Sequence, residues 1–196
     1  MPTIIIVAAV ILVLGALGAG IAAAVLHGWS RAVVAGAGFS VRQLSSAQLD
    51  EFLSEATFRV TVRREFPFPP HKVWDALQLD GAFSWIPFVG GIRYLDDYRR
   101  EGATRTFDAT LFACAEKVVT VAPHKQLGVT GTRISIPFAI DAFAQDYRLA
   151  ETTGGSALTW TIAFRPRLGA GLPLRWAAPF VRPFLSAAIK GLTSRI

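Results

Sequence analysis

From Phe58 the chain alternates, with Phe58, Val60 and Val62 apolar and Arg59, Thr61 and Arg63 polar. A period of two predicts a half-buried strand. Pro67, Pro69 and Pro70 stop it, because proline cannot donate to a ladder. Pro70 has its φ preset for a first helical turn. Val73, Trp74 and Leu77 share one face of the helix predicted there, which ends at Asp80-Gly81. A second short helical segment is predicted through Phe83, Trp85 and Ile86, before Pro87. Six strands are predicted beyond it, over residues 92–95, 103–112, 115–122, 127–136, 142–151 and 157–164. The last is the clearest, with Leu158, Trp160, Ile162 and Phe164 on one face and Thr159 and Thr161 on the other. Turn signals between the strands recur at the short intervals of an antiparallel meander. With the strand at Phe58, seven are expected.

The pattern returns to a helical period at the end. Arg175, Arg182, Ser186, Lys190 and Thr193 fall on one stripe, and Phe180, Val181, Phe184, Leu185, Ala188 and Leu192 on the opposite side. Pro179 and Pro183 mean that this helix either starts near Pro179 or is kinked.

The front of the chain has no period. An uncharged, mostly aliphatic run opens at Ile4 and closes at Leu26. As a helix it reaches about 34 Å, against roughly 30 Å for the hydrocarbon core of a bilayer. Trp29 and Arg31 follow, as suits a headgroup region. A cleaved signal peptide is the competing reading. Met1-Pro2-Thr3 offers it no positive n-region and the run is long for it, although Ala22, Ala23 and Ala24 would suit a cleavage site. Arg31 and Arg42 lie after the run and no Lys or Arg before it, so the positive-inside rule places the main domain in the cytoplasm. Residues 31–44 read as a spacer or a continuation of the first helix. Ser45 and Gln48 then form a capping-box pattern ahead of Leu49, Phe52 and Leu53. The expected organisation is a transmembrane anchor over residues 1–30, a linker with one short helix over 31–57, and a folded domain over 58–196.

Composition sharpens this. Of 196 residues, 52% are hydrophobic and 17% charged, below the roughly 25% charged of an average soluble domain. The net charge is +6, and residues 165–196 hold Arg165, Arg167, Arg175, Arg182, Lys190 and Arg195 with no acid, so the whole excess sits there. Such a patch points to an anionic surface. Arg175, Arg182, Lys190 and Arg195 are therefore the expected membrane-surface residues, with a solvated outer helix face as the plainer alternative.

A strand, two short helices, six more strands and a long C-terminal helix is the order of the helix-grip fold. The chain from Phe58 onward resembles the SRPBCC superfamily, which includes START domains, birch-pollen-allergen relatives and polyketide cyclase/dehydrase-like proteins. The opening VRREFPFPPHKVWDAL, the Trp85-Ile86-Pro87 stop, the Glu101-to-Arg105 turn into a strand, Glu116 leading to Pro123, and GGSALTWTIAFRPR carry the resemblance. It implies an α+β fold, with a seven-stranded curved antiparallel sheet wrapped around the C-terminal helix and an apolar cavity between them. Trp85, Phe88, Phe107, Phe143, Trp160, Phe164 and Phe184 are the expected lining residues. The function expected is membrane-anchored binding or transport of a hydrophobic small molecule, plausibly a lipid. A cyclase, aromatase or hydrolase using the same cavity, and a non-catalytic interaction module, are the alternatives.

The residues of catalysis are sparse, and binding is expected over chemistry, with no cofactor. His27, His71 and His124 have no ligand spacing, so no metal site is expected. There is no Gly-rich phosphate loop. Cys114, between Ala113 and Ala115, reads as an inert core thiol. The basic stripe lacks interleaved aromatics, so no nucleic acid partner is expected. Asp146 and Tyr147 are the late-strand residues whose direction would matter to an enzyme. Arg105, Asp108 and Glu116 come close across one hairpin. An ion pair on the solvent face is the simplest outcome, and a buried cluster that orients a ligand's head group is the functional one.

Overall fold

The computed structural model describes residues 2–96, 98–138, 140–167 and 178–196, with side chains from residue 15 onward. Helix α1 (Pro2–Val34) contains the whole apolar run. Residues 15–34 are long and apolar enough to cross a membrane, and little of that stretch is covered by the rest of the chain. The helix does not stop where the run does. It continues to Val34 and ends in a Schellman motif, with Ala37 N–H donating to Ala32 C=O, Gly36 N–H to Val33 C=O, and Gly36 at φ 89°.

The domain follows as β1 (Phe39–Ser40), α2 (Ser46–Glu55), β2 (Phe58–Phe66), α3 (Pro70–Gln78), β3 (Val89–Tyr94), β4 (Thr104–Ala109), β5 (Phe112–Ala122), β6 (Gln126–Ile134), β7 (Ile140–Thr152), β8 (Gly155–Pro166) and α4 (Ala178–Leu192). One turn of tighter helix, Thr193–Arg195, closes the chain. The strands form one curved antiparallel sheet in the order β2-β8-β7-β6-β5-β4-β3, with β1 added to β6. The seven expected strands are present, and the two-residue β1 is an eighth.

One local expectation is corrected, whereas the expected start of the last helix near Pro179 agrees with its observed start at Ala178. The second short helix through Phe83 and Ile86 is a chain of four-residue turns, with Ala82, Ser84, Ile86 and Val89 N–H each donating to the carbonyl three residues back. Positive φ at Gly81 (77°), Phe83 (70°) and Phe88 (66°) breaks any helix there. Pro183 is tolerated inside α4, which begins at Ala178.

The sheet is covered on both faces. Leu185, Ala188, Ile189 and Leu192 of α4 and Val73, Trp74 and Leu77 of α3 pack onto its concave side. On the convex side Leu49, Phe52 and Leu53 of α2 pack on Ala142, Ala144 and Ala163. The end of α1 covers the neighbouring strands, burying Val33 against Ala113 and Ala115. The capping box forms, with Ser45 N–H donating to Gln48 Oε1 at 3.0 Å.

Candidate functional site

Alternation along the strands sends a set of polar side chains into the apolar concave face. Arg105 on β4 lies directly opposite Glu116 on β5. Both are 0% exposed, and Arg105 Nε donates to Glu116 Oε2 at 2.6 Å. From β7, Gln145 Nε2 donates to Glu116 Oε1, and Gln145 Oε1 accepts from Tyr147 Oη at 2.8 Å and Trp160 Nε1 at 3.0 Å. Cys114 Sγ lies 3.8 Å from Glu116 Oε1. The Arg105 guanidinium carbon stands 5.5 Å from the centre of the Tyr147 ring, a cation–π contact. Aromatic rings roof the cluster: Trp160 stacks between Tyr147 at 5.3 Å and Phe83 at 5.0 Å.

The electrostatics follow from depth. Burial opposes the charged form of Arg105, but the Glu116 carboxylate beside it holds the guanidinium well above its ordinary value. Burial, then the Glu116 charge, pushes the Cys114 thiol well up. Burial likewise pushes the Tyr147 phenol up, against the pull of Arg105. Cys114 is therefore no thiolate nucleophile, and Tyr147 is a hydrogen-bond donor and not a base. Both Glu116 oxygens already accept hydrogen bonds. One polar atom is left over: Arg105 Nη2 is buried and has no partner. Such an orphan costs desolvation that nothing among the described residues offsets.

The concave face is graded from one end of the sheet inward. Phe107, Phe112, Ile140, Ile162 and Phe164 at that end are only half-buried. Phe107 pairs with Cys114 and Phe143 with Phe164; the next inward-facing pairs are Arg105–Glu116 and Gln145–Ile162. An apolar mouth thus leads to the charged cluster within two residues of strand. Gly131, opposite Glu116 on β6, keeps the floor low, since a Cβ there would collide with the Phe143 ring.

The expected lining residues divide. Phe143 and Trp160 are buried on the concave face, Phe107 and Phe164 stand half-buried at its mouth, and Phe164 stacks on Phe58 at 4.4 Å. Trp85 is half-buried under α4, donating to Ala188 C=O at 3.2 Å. Phe88 and Phe184 belong elsewhere: Phe88 is 82% exposed on the turn before β3, and Phe184 is 49% exposed on the outer side of α4. The α4 face that packs is set by Leu185, Ala188, Ile189 and Leu192, so Phe180 and Phe184 are left outside. Arg182, Lys190 and Arg195 are exposed, and Arg175 lies outside the described residues.

Asp108 does not join Arg105. It sits on the other face and pairs with Arg31 of α1 at 3.3 Å. Asp146 also faces the convex side, held by Gln126 and Arg148. Gln145 was not foreseen; its place between Phe143 and Tyr147 in a strict alternation was the available signal. The His71 and His124 rings lie 6.3 Å apart, but among the described residues no three His, Cys, Asp or Glu side chains gather as a metal site would need.

The open spaces lined by described residues lie outside the sheet–helix interior. One, about 700 Å³, is a groove between β2 and the start of α4, lined by Arg59, Val60, Ala178, Arg182 and Pro183 among others. A second, about 480 Å³, separates α1 from the turns at residues 84–90. Among the described residues, the interior is closed by the Phe83–Trp160–Tyr147 stack and α4.

A curved antiparallel sheet gripping a terminal helix defines a helix-grip domain. Residues 57–196 match the family described as polyketide cyclase / dehydrase and lipid transport, and the chain belongs to that family. The fold is shared with a START superfamily protein from Mycobacterium smegmatis, at 14% identity and TM-score 0.57 over 70% of this chain and 97% of that one. It is also shared with Ara h 8.0201 (16% identity, TM-score 0.56, covering 70% and 95%) and with a Mesorhizobium loti protein (21%, 0.53, covering 70% and 97%). No curated protein sequence matches the chain.

Proposed function

We propose that this chain is a membrane-anchored binder of a hydrophobic small molecule carrying one polar end group, such as a lipid. The apolar part lies against Phe107, Ile162, Phe164 and Phe143, and the polar end reaches the Arg105–Glu116–Gln145 cluster. The observation that carries this reading is Arg105 Nη2, a fully buried donor with no acceptor among the described residues, one strand row behind a half-buried aromatic end of the sheet. A carboxylate, phosphate or carbonyl oxygen supplies what it lacks. The apolar length of α1 supports the anchor, and Arg31 and Arg42 beyond it support a cytoplasmic domain. The exposed Arg182, Lys190 and Arg195 suit an anionic leaflet.

Binding requires the Phe83 side chain or α4 to shift, because the interior is closed. Full-length protein in detergent, titrated with a fluorescent fatty acid, should show saturable binding, weakened by Phe164→Glu at the mouth. Absence of saturable binding, together with no lipid in the organic extract of the purified protein, would overturn the proposal.

A further inference from the structure

The end of the sheet where the concave face opens is also where α1 leaves it. Ser30 Oγ donates to Ala109 C=O at 2.7 Å, and His27 Nδ1 lies 2.9 Å from Thr110 C=O. Both acceptors are at the tip of the β4–β5 hairpin, and His27 and Ser30 lie one and four residues beyond Leu26, which closes the long apolar run. Around that exit the loops present apolar side chains to solvent: Phe88 at 82%, Phe138 at 63% and Leu111 at 44% exposed. Trp29 and Phe39 continue the series, their rings 6.1 Å apart, with Phe138 a further 6.3 Å from Phe39. Phe88 and Phe138 hold φ of 66° and 57°. Non-glycine residues rarely adopt that conformation, so backbone strain is maintained to point two phenyl rings outward.

We infer that this rim is a bilayer-docking surface, with Phe88, Leu111, Phe138 and Phe39 seated at the headgroup–acyl boundary of the leaflet that α1 enters. The inference rests on the anchor reading above and extends it to which end of the domain faces the lipid. The bilayer is the occupant because the continuous helix leaves no length for the rim to stand away from it. Charge agrees at the helix exit itself, where Asp108 and Asp141 are paired with Arg31 and Arg42. Aromatic side chains at such a boundary are favoured. The mouth lined by Phe107 and Phe164 then opens toward the membrane, and a ligand passes between leaflet and concave face without crossing water.

The test uses the full chain in phosphatidylcholine nanodiscs, with single cysteines Phe88→Cys, Phe138→Cys and, at the far end of the sheet, Thr153→Cys. Each is labelled with bimane, and the native chain with its buried Cys114 is the blank. All three sites are surface positions, where substitution leaves folding intact. Lipids carrying a doxyl group just below the headgroup should strongly quench the labels at 88 and 138 and leave the label at 153 unchanged. Chain that stays with the disc but is unquenched at 88 and 138 overturns the docking and spares the anchor. Chain that does not stay with the disc overturns the anchor, and the docking with it. Unquenched labels that shift to the blue only in discs holding two chains assign the rim to a second copy and also overturn it.

Discussion

The two faces of this one sheet are built from the same strands and could hardly differ more. On β7, Ala142 and Ala144 face out while Phe143, Gln145 and Tyr147 face in. On β5, Ala113 and Ala115 face α1 while Cys114 and Glu116 face the cluster. Small residues on the convex face let two helices lie close, with nothing left to recognise. Large aromatics and a paired charge on the concave face hold curvature and chemistry.

Substitutions should break this contrast in order of size. Glu116→Ala strands the buried Arg105 and should cost about 3–5 kcal/mol, read from urea unfolding of the full chain in detergent. The double change Arg105→Met with Glu116→Leu should recover most of that while removing the ligand's polar anchor. Stability restored with fatty-acid binding lost would separate scaffold from site. On the other face, Ala163→Leu crowds Leu44 and Phe52 and should cost about 1–3 kcal/mol without touching ligand affinity. Tyr147→Phe removes one hydrogen bond to Gln145 and should cost about 1 kcal/mol. Arg63→Ala, in an exposed pair with Glu65, should stay within about 0.5 kcal/mol.

The concave face also predicts a pH response. Cys114 and Tyr147 both have pKa values raised by burial, so above the ordinary thiol value of about 8.5 the unfolded chain gives up protons that the folded chain keeps. Stability is complete below that pH and falls as pH rises past it, which urea midpoints at rising pH will show. Cys114→Ala should flatten the first part of that decline.

Much of this architecture was legible because strand alternation and proline stops act locally. The opening strand, the proline-led helix, the capping box and the meander needed no tertiary knowledge. The failures came where parity or packing decided. Arg105 and Asp108 are three residues apart on one strand, an odd offset that sends them to opposite faces, and Asp108 met α1 instead. Composition alone could not tell that the Arg105–Glu116 pair is sealed, because its cover comes from β7, β8 and the Phe83 turn. The aromatics Phe88 and Phe184 matched the core chemically, yet a left-handed backbone turned one outward and the rotation of α4 the other.

The union of α1 with the sheet has a mechanical consequence. The last two turns of the helix are bolted to the hairpin through Ser30, Val33 and the Asp108–Arg31 pair, and the Gly36 terminus stops the helix dead. Whatever grips the front half of α1 also sets the compass bearing of every strand, and any torque on the stalk is felt at β4 and β5 first.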